Sequence, residues 1–180
     1  MKTQLDHLPA LAIAEAWKTL LCTACDRIEI AGSIRREKET VGDIEIVCIP
    51  KYQRDMFQNP LIDTETALDH LLSLFEDEGF CRKEMGGHRY QRYIISEHEL
   101  QLDLFCTTPE QWGVIFALRT GPAEFSKKLV TPHWQGGFLE SGYSVREGRV
   151  WHGGLMAETP EEKDFFEYTK CGWIDPWSRR

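Results

Sequence analysis

The 180-residue sequence predicts an α+β fold in which a mixed β-sheet with flanking helices is followed by a small C-terminal α+β lobe. Three observations favour it. Several short segments alternate between apolar and polar residues, as half-buried strands do, and others carry apolar residues at helical spacing. The last third is rich in turns and short strands. We therefore expect a first domain at 1–107 and a thumb-like C-terminal domain at 108–180.

The first half of the chain begins with a helical pattern. Apolar residues at helical spacing predict a helix over 8–24, and alternation predicts strands over 27–30 and 43–49. The polar stretch 51–62 predicts a loop. A helix follows to about residue 78, with Asp63 or Thr64 as its cap.

The second half continues with strands. Gly86-Gly87 predicts a hairpin between strands at roughly 79–85 and 89–96. Residues 100–106 alternate again and predict a strand. The remaining expected elements are a helix opened by Thr108-Pro109 and ended at Thr120-Gly121, a helix over 123–129, short strands within 138–151 and a last helix from Pro160.

Composition and charge narrow the class of protein. Hydrophobic residues make up 42% and charged residues 28%, as in globular proteins. The N-terminus lacks the apolar core of a signal peptide, so we expect a cytoplasmic protein whose six cysteines are reduced. The net charge of −8 argues against coating nucleic acid by bulk attraction, although local Lys and Arg clusters can still bind a strand.

Three acidic residues occupy unusual strand positions. Asp43 and Glu45 are two apart, so their side chains share one face of a strand, and Asp103 lies on a second strand. If these strands are neighbours, three carboxylates converge and need a divalent cation to offset their repulsion. Hard oxygen ligands suit Mg²⁺ or Mn²⁺. An Asp-x-Glu pair taken alone is more often a solvated sheet face.

A second motif precedes these acids. Gly32-Ser33 closes one strand and opens a charged helical turn, where backbone N–H groups, the Ser33 hydroxyl and Arg36 form a candidate triphosphate cradle. Gly42 would let a phosphate approach the backbone. A Gly-Ser pair alone is usually a turn. Its combination with the acids, as G-S-x₉-D-x-E plus a later strand Asp, is far more specific.

The combination resembles the nucleotidyltransferase signature of the DNA polymerase X family, the family of DNA polymerase beta. The resemblance covers nearly the whole chain, from about residue 8 to 180. It is carried by GSIRREKETVGDIE, GGHRYQRYIISEHELQLDLF, PEQWGVIFALRTGPAEFSKKL and TPEEKDFFEYTKCGWIDPWSRR. In that order, these segments are similar to the family's nucleotidyltransferase signature, to its hairpin and the strand that carries the third acid, to the passage from palm into thumb, and to the end of the thumb. The resemblance implies a nucleotidyltransferase palm in a minimal palm-and-thumb form.

The resemblance also implies roles for single residues. Asp43, Glu45 and Asp103 become the catalytic acids that bind two Mg²⁺ or Mn²⁺ ions. The implied nucleotide contacts are Gly32, Ser33, Arg36 and Gly42 at the triphosphate and Thr120, Gly121 and Ser126 beside the sugar and base. Arg89, Lys127 and Lys128 are candidate contacts to a nucleic-acid backbone, although a solvated turn or helix face explains each equally well.

The chain departs from the family pattern at several positions. The second acid is Glu45 where the family usually has Asp, a change that keeps a metal ligand on a longer arm. The other departures concern the nucleotide, template and primer sides, and they are Leu118-Arg119 for an aromatic pair, Ser126 for Asn, Val130 for a basic residue and Gln101 for Arg. They predict intact metal and triphosphate chemistry with weaker template checking.

The sequence therefore predicts a monomeric DNA polymerase X-like enzyme that adds a nucleoside monophosphate from an NTP or dNTP to a DNA 3′-hydroxyl, in gap filling or repair. The expected partners are a nucleoside triphosphate and a DNA primer end or gapped DNA, without a membrane. One alternative is a template-independent transferase that acts on RNA, protein or a small molecule. Another is a non-catalytic module that binds DNA ends.

Other conspicuous side chains have simpler interpretations. Cys22-x-x-Cys25 lacks a second ligand pair for zinc, so we expect a buried thiol pair. Trp134 could stack on a base or pack inside the C-terminal lobe. We expect the core of that lobe to include Trp151, Trp173 and Trp177.

Overall fold

The computed structural model describes residues 3–53, 55–57, 61 and 64–179. These residues form two compact units. The first comprises the residues up to Ile30 together with Lys38–Thr107, and the second comprises Ala31–Glu37 together with the residues from Thr108 onward. The short segment that contains Gly32 and Ser33 thus belongs to the second unit.

The described chain contains six helices and ten strands. The helices are α1 (His7–Leu21), α2 (Gly32–Arg35), α3 (Ala67–Asp77), α4 (Trp112–Thr120), α5 (Ala123–Val130) and α6 (Glu162–Glu167). The strands are β1 (Leu5–Asp6), β2 (Cys25–Ile30), β3 (Thr40–Val41), β4 (Asp43–Pro50), β5 (Cys81–Met85), β6 (Tyr90–Ile95), β7 (Leu100–Cys106), β8 (Tyr143–Arg146), β9 (Arg149–His152) and β10 (Leu155–Ala157). None of these helices is long and apolar enough to cross a membrane.

The first unit is built on a five-stranded sheet in the order β2-β4-β7-β6-β5. The pair β4 and β7 is parallel, whereas the other neighbouring strands are antiparallel. Helix α1 contacts β2 and β4, and helix α3 contacts β5. The predicted α+β class with a mixed sheet and flanking helices is therefore confirmed, and so is the conditional pairing of the two acid-bearing strands.

Burial in the first unit follows the pattern of the sequence. Helix α1 buries Ala10, Ala14, Trp17 and Leu21, a spacing of three or four residues that gives it one apolar stripe. In β4 the side chains of Ile44 and Ile46 are fully buried. Each such side chain contributes about 1.5–3 kcal/mol through removal from water.

The start of α3 differs from the expectation. Asp63 lies outside the described residues, and Thr64 is not the cap. Instead Thr66 accepts a hydrogen bond from the Asp69 amide, while the Asp69 carboxylate accepts one from the Thr66 amide at 2.8 Å. This reciprocal capping box requires an acceptor three residues beyond the cap, which Thr66 has in Asp69.

The second unit has its own core and a three-stranded antiparallel sheet in the order β10-β9-β8. Its core is formed by Val114, Ala117, Phe125, Leu129, Leu139, Val150, Phe165 and Phe166. The expected tryptophan core is wrong for Trp173 and Trp177, which are 38% and 57% exposed. The adjacent phenylalanines of α6 fill the interior instead, and Trp173 packs edge-on against Phe166 with ring centroids 5.2 Å apart.

The cap of α3 can be tested by substitution. We expect Thr66→Ala to lower the free energy of unfolding by about 1 kcal/mol, because it leaves an amide at the helix start without its acceptor. Thr64→Ala serves as the control, since the Thr64 hydroxyl donates only to the Leu61 carbonyl of the preceding turn. Urea unfolding followed by circular dichroism measures both. An equal or larger loss for Thr64→Ala would contradict the assignment.

Candidate active site

The three predicted acids lie on one face of the first unit's sheet. In the parallel pair of β4 and β7, Glu45 is the register partner of Asp103, and Asp43 is the partner of Gln101. Register partners and residues two apart on a strand point to the same side of the sheet. The opposite side is apolar, with Ile44, Ile46, Leu102 and Leu104 fully buried. The structure therefore brings the two acid-bearing strands together with their acids on a common face.

Asp103 is the most enclosed of the three carboxylates, with 9% of its side chain exposed. One oxygen accepts hydrogen bonds from the Tyr90 hydroxyl and from Arg92 Nε, both at 2.9 Å. The other accepts from Gln101 Nε2 at 2.8 Å and from Arg92 Nη2 at 3.5 Å. Arg92 is also the register partner of Asp103 across β6 and β7. Both oxygens are thus engaged by donors from the same sheet face.

These contacts set the protonation states of the donors. The hydrogen bond to Asp103 raises the pKa of the Arg92 guanidinium above its ordinary value, so Arg92 stays charged. Burial raises the pKa of the Tyr90 phenol, and the bond to Asp103 raises it further. Tyr90 therefore remains a protonated donor at neutral pH. Sequence reasoning missed both residues, although their positions two apart on an alternating strand already gave them a common face.

The three acids suit divalent cations in their chemistry but not in the present arrangement of their side chains. Three carboxylates on one face supply the hard oxygen donors that Mg²⁺ and Mn²⁺ prefer. In the arrangement of side chains, however, no group of three or more His, Cys, Asp or Glu within the described ranges is assembled to hold a metal ion. Asp103 is instead satisfied by Arg92, Tyr90 and Gln101. The donor chemistry suits such a cation, the described side chains as placed do not assemble a metal site, and coordination by Asp103 would require at least one of these donors to leave.

Gly32 and Ser33 begin the short helix α2 of the second unit. Gly32 has φ of +61°, a left-handed conformation that strains any residue with a Cβ. The Ser33 Oγ is buried and finds no hydrogen-bond partner among the described residues. A buried hydroxyl left without a partner costs about 1–3 kcal/mol.

Arg36 and Thr120, two of the predicted nucleotide contacts, lie together in the second unit. Arg36 Nη1 donates to the Thr120 carbonyl at 2.6 Å, and Arg35 Nη1 donates to the Thr120 hydroxyl at 2.6 Å. Thr120 is fully buried. Its hydroxyl thus holds the segment around α2 against the C-terminal end of α4.

Gly121 and Ser126 lie next to each other at the turn that follows α4. A Cβ at Gly121 would come within 2.8 Å of both Ser126 Oγ and the Phe125 ring, which explains why glycine occupies the position. The Ser126 hydroxyl donates to the Leu118 carbonyl at 2.6 Å. In this arrangement the polar end of Ser126 is directed back to α4.

A buried ion-pair network, which the sequence did not predict, anchors Arg35. Glu162 is paired with Arg35 through two bonds of 3.0 and 2.6 Å, and it also accepts from Arg179 Nη1. The Arg179 side chain is 0% exposed and the Glu162 side chain 5%. The Arg35 guanidinium lies 3.9 Å from the centroid of the Phe116 ring. One carboxylate thus neutralises two arginines that are far apart in sequence.

The candidate nucleic-acid contacts are exposed side chains. Arg89 directly precedes β6 in the first unit, and Lys127 and Lys128 lie in the last turn of α5 in the second. Lys128 Nζ stands 5.7 Å from the Phe138 ring centroid. Trp134 is 74% exposed, so the expectation that it packs inside the lobe is wrong, and stacking on a base stays a prediction.

The cysteines differ from one expectation. All six are free thiols, but Cys22 is exposed while Cys25 is buried, so the predicted buried pair is wrong for Cys22. The close pair is Cys48 and Cys106, register partners on β4 and β7 whose Sγ atoms are 3.9 Å apart. Hydrogen bonds with Cys106 and Cys25, together with burial, hold the pKa of Cys48 well above its ordinary value. A thiol kept protonated in this way is a poor metal ligand.

Comparison with known proteins does not assign the chain to a family. No model of a known protein family matches it. No curated protein matches it at a significant level either.

The Glu162 network yields a stability prediction. Glu162→Ala removes the counterion of two partly or fully buried arginines, so we expect the free energy of unfolding to fall by about 3–5 kcal/mol. Glu167→Ala on the same helix is the matched control, because Glu167 is exposed, and should change stability by less than about 0.5 kcal/mol. Chemical denaturation measures the free energy of unfolding of both variants. Similar losses of stability would argue against a stabilising role of the Glu162 network.

Proposed function

We propose that this protein is a metal-dependent nucleotidyltransferase of the DNA polymerase X type. It joins the α-phosphate of a (d)NTP to a DNA 3′-hydroxyl, breaks the bond between the α- and β-phosphates and releases pyrophosphate. The observation that carries the proposal is the in-register pairing of Glu45 with Asp103, with Asp43 on the same sheet face. These are the three positions that the family motif assigns to the catalytic acids. The opposite face of the same strands is apolar and fully buried, which fixes the side of the sheet on which the three carboxylates lie.

The acids have separate tasks in this proposal. Asp43 and Glu45 would hold a cation that neutralises the triphosphate, and all three carboxylates would hold a second one. When bound, two Mg²⁺ or Mn²⁺ ions neutralise the triphosphate and favour ionisation of the attacking hydroxyl. The Asp103 carboxylate accepts the proton of the primer 3′-hydroxyl once at least one of its present donors has left.

The triphosphate contacts are Gly32, Ser33, Arg36 and Gly42, as the resemblance implies. One observation supports a polar ligand here. The Ser33 hydroxyl is buried without a partner among the described residues. Arg36 contributes a guanidinium suited to phosphate. Gly121 and Ser126 border the sugar and base in this proposal, whereas Thr120, which the resemblance implies beside them, is fully buried and supports the turn from within.

The nucleic-acid partner is a primer end or a gapped duplex. With a net charge of −8, binding depends on local cations rather than on overall attraction. Arg89, Lys127 and Lys128 are exposed and are proposed to contact the phosphate backbone. The exposed ring of Trp134 adds a surface on which a base can stack. We propose that the enzyme acts as a monomer in the cytoplasm, in gap filling or repair.

A second candidate function is template-independent transfer to RNA, a protein hydroxyl or a small molecule. It is favoured by Ser126, whose hydroxyl donates to the Leu118 carbonyl and is therefore not directed at a base edge. The same reaction chemistry serves both candidates. They differ in whether a template strand selects the nucleotide.

The catalytic prediction concerns the acids directly. We expect Asp43→Asn and Asp103→Ala each to abolish Mg²⁺- or Mn²⁺-dependent extension of a labelled primer, a loss of roughly a thousandfold or more, because each removes a ligand that acts in the transition state. Glu84→Gln is the control and should retain activity, because Glu84 is an exposed residue of the edge strand β5, which pairs with β6 and not with the acid-bearing strands. Circular dichroism establishes that the variants are folded.

The same assay separates the candidate functions. Extension of a gapped duplex with only the complementary nucleotide supports templated synthesis, whereas equal use of all nucleotides or of single strands supports template-independent transfer. Running it with each dNTP and NTP also gives the sugar preference. Full activity in either acid variant would contradict the assignment of the catalytic acids. If the wild type transfers no nucleotide but binds DNA ends tightly, a non-catalytic module would be favoured.

A further inference from the structure

Arg92 is the charged side chain that engages both carboxylate oxygens of Asp103. It is the cross-strand partner of Asp103, and its guanidinium reaches both carboxylate oxygens, at 2.9 and 3.5 Å. A guanidinium placed across a carboxylate in this way occupies the lone pairs that a cation would use. Its positive charge also opposes a divalent ion at the same position.

We propose that Arg92 sets the metal affinity of the acid trio by competing with the cation for Asp103. The inference rests on the proposed function, because it requires Asp103 to be a metal ligand. Asp103 thus has two exclusive states, one paired with Arg92 and one bound to metal. Arg92 acts through Asp103, as a positioning residue.

The exposures of the two side chains determine which one moves. The Asp103 side chain is 9% exposed, whereas that of Arg92 is 32% exposed. The long arginine side chain can therefore swing into water, while the aspartate stays in the sheet. Tyr90 and Gln101 remain on Asp103 when Arg92 leaves, and the Tyr90 ring is stacked on Phe105 with centroids 5.1 Å apart. The carboxylate thus keeps its position during the exchange.

The competition lowers the apparent affinity for metal by the fraction of molecules in which Asp103 is available. Removing the guanidinium removes the state in which Asp103 is paired with Arg92, and it also removes the repulsion between the guanidinium and the divalent ion. We therefore expect Arg92→Gln to bind Mn²⁺ about tenfold more tightly than the wild type. If Arg92 instead oriented Asp103 for coordination, the same substitution would weaken binding. The sign of the change distinguishes the two roles.

The first unit contains a matched control. Arg82 on β5 forms a two-pronged pair with Glu99, with both distances at 2.9 Å. Arg82 lies in the same sheet as Arg92, but its partner Glu99 directly precedes β7 and is not one of the three acids. The side chains of Arg82 and Glu99 are 54% and 62% exposed. Arg82→Gln removes one positive charge from the same unit and should leave Mn²⁺ affinity unchanged.

The experiment is a Mn²⁺ titration of the full chain, with free Mn²⁺ read by its paramagnetic resonance signal. Arg92→Gln should lower the dissociation constant about tenfold, and Arg92→Lys, which keeps the charge without the planar fork, should fall between Arg92→Gln and the wild type. In an Asp103→Asn background, Arg92→Gln should have little effect, because the competition acts through Asp103. Thermal unfolding verifies that each variant is folded.

The outcomes separate this inference from the proposed function. Mn²⁺ binding that depends on Asp103 but is unchanged or weakened by Arg92→Gln would overturn the inference alone. Equal tightening by Arg82→Gln would also overturn it, because the effect would then be one of overall charge. Absence of Mn²⁺ binding in the wild type and every variant would overturn both proposals.

Discussion

The parallel pairing of β4 with β7 is the constraint on which the candidate site depends. It aligns Glu45 with Asp103 and thereby puts carboxylates from two distant segments on one side of the sheet. A slip of one residue would turn Asp103 to the side occupied by Ile44 and Ile46, where an ionised carboxylate costs several kcal/mol. The fully buried side chains of that apolar face therefore specify the register that the acids need.

Both units contain buried charged side chains, and the two units differ in how many partners the buried carboxylate has among the arginines. In the first unit, one arginine, Arg92, is bonded to Asp103 beside two further acids on the same face. In the second, one carboxylate, Glu162, serves two arginines. A buried pair of this kind is costly to break but contributes little net stability compared with apolar packing. The partly exposed Arg92 suits an exchangeable partner, whereas the fully enclosed Arg179 suits a permanent one.

The sequence predicted those features that depend on local periodicity. Alternation in 43–49 and 100–106 was enough to assign the strands and the shared face of Asp43 and Glu45. That these two strands are neighbours in the sheet could only be assumed, because strand order and register depend on pairing between segments far apart in the chain. The cap at Thr66 was missed in favour of a position two or three residues earlier, a typical error at helix ends.

Contacts between segments that are distant in the chain could not be predicted from the sequence. Arg35 and Glu162 are 127 positions apart, and no local pattern links them. The same holds for the choice of phenylalanines over Trp173 and Trp177 as core of the second unit, since either set is apolar enough. Arg92 was overlooked because an arginine on an alternating strand ordinarily faces water, and only the pairing of β6 with β7 puts it opposite Asp103.

The most direct test of the central claim is a crystal structure of the protein with Mn²⁺ and a non-hydrolysable dNTP, with the metal located by its anomalous scattering. We predict anomalous peaks within direct coordination distance of carboxylate oxygens of Asp43, Glu45 and Asp103, with the Arg92 guanidinium displaced from Asp103. Mn²⁺ and nucleotide bound elsewhere, with these carboxylates uncoordinated and Arg92 still on Asp103, would contradict the claim.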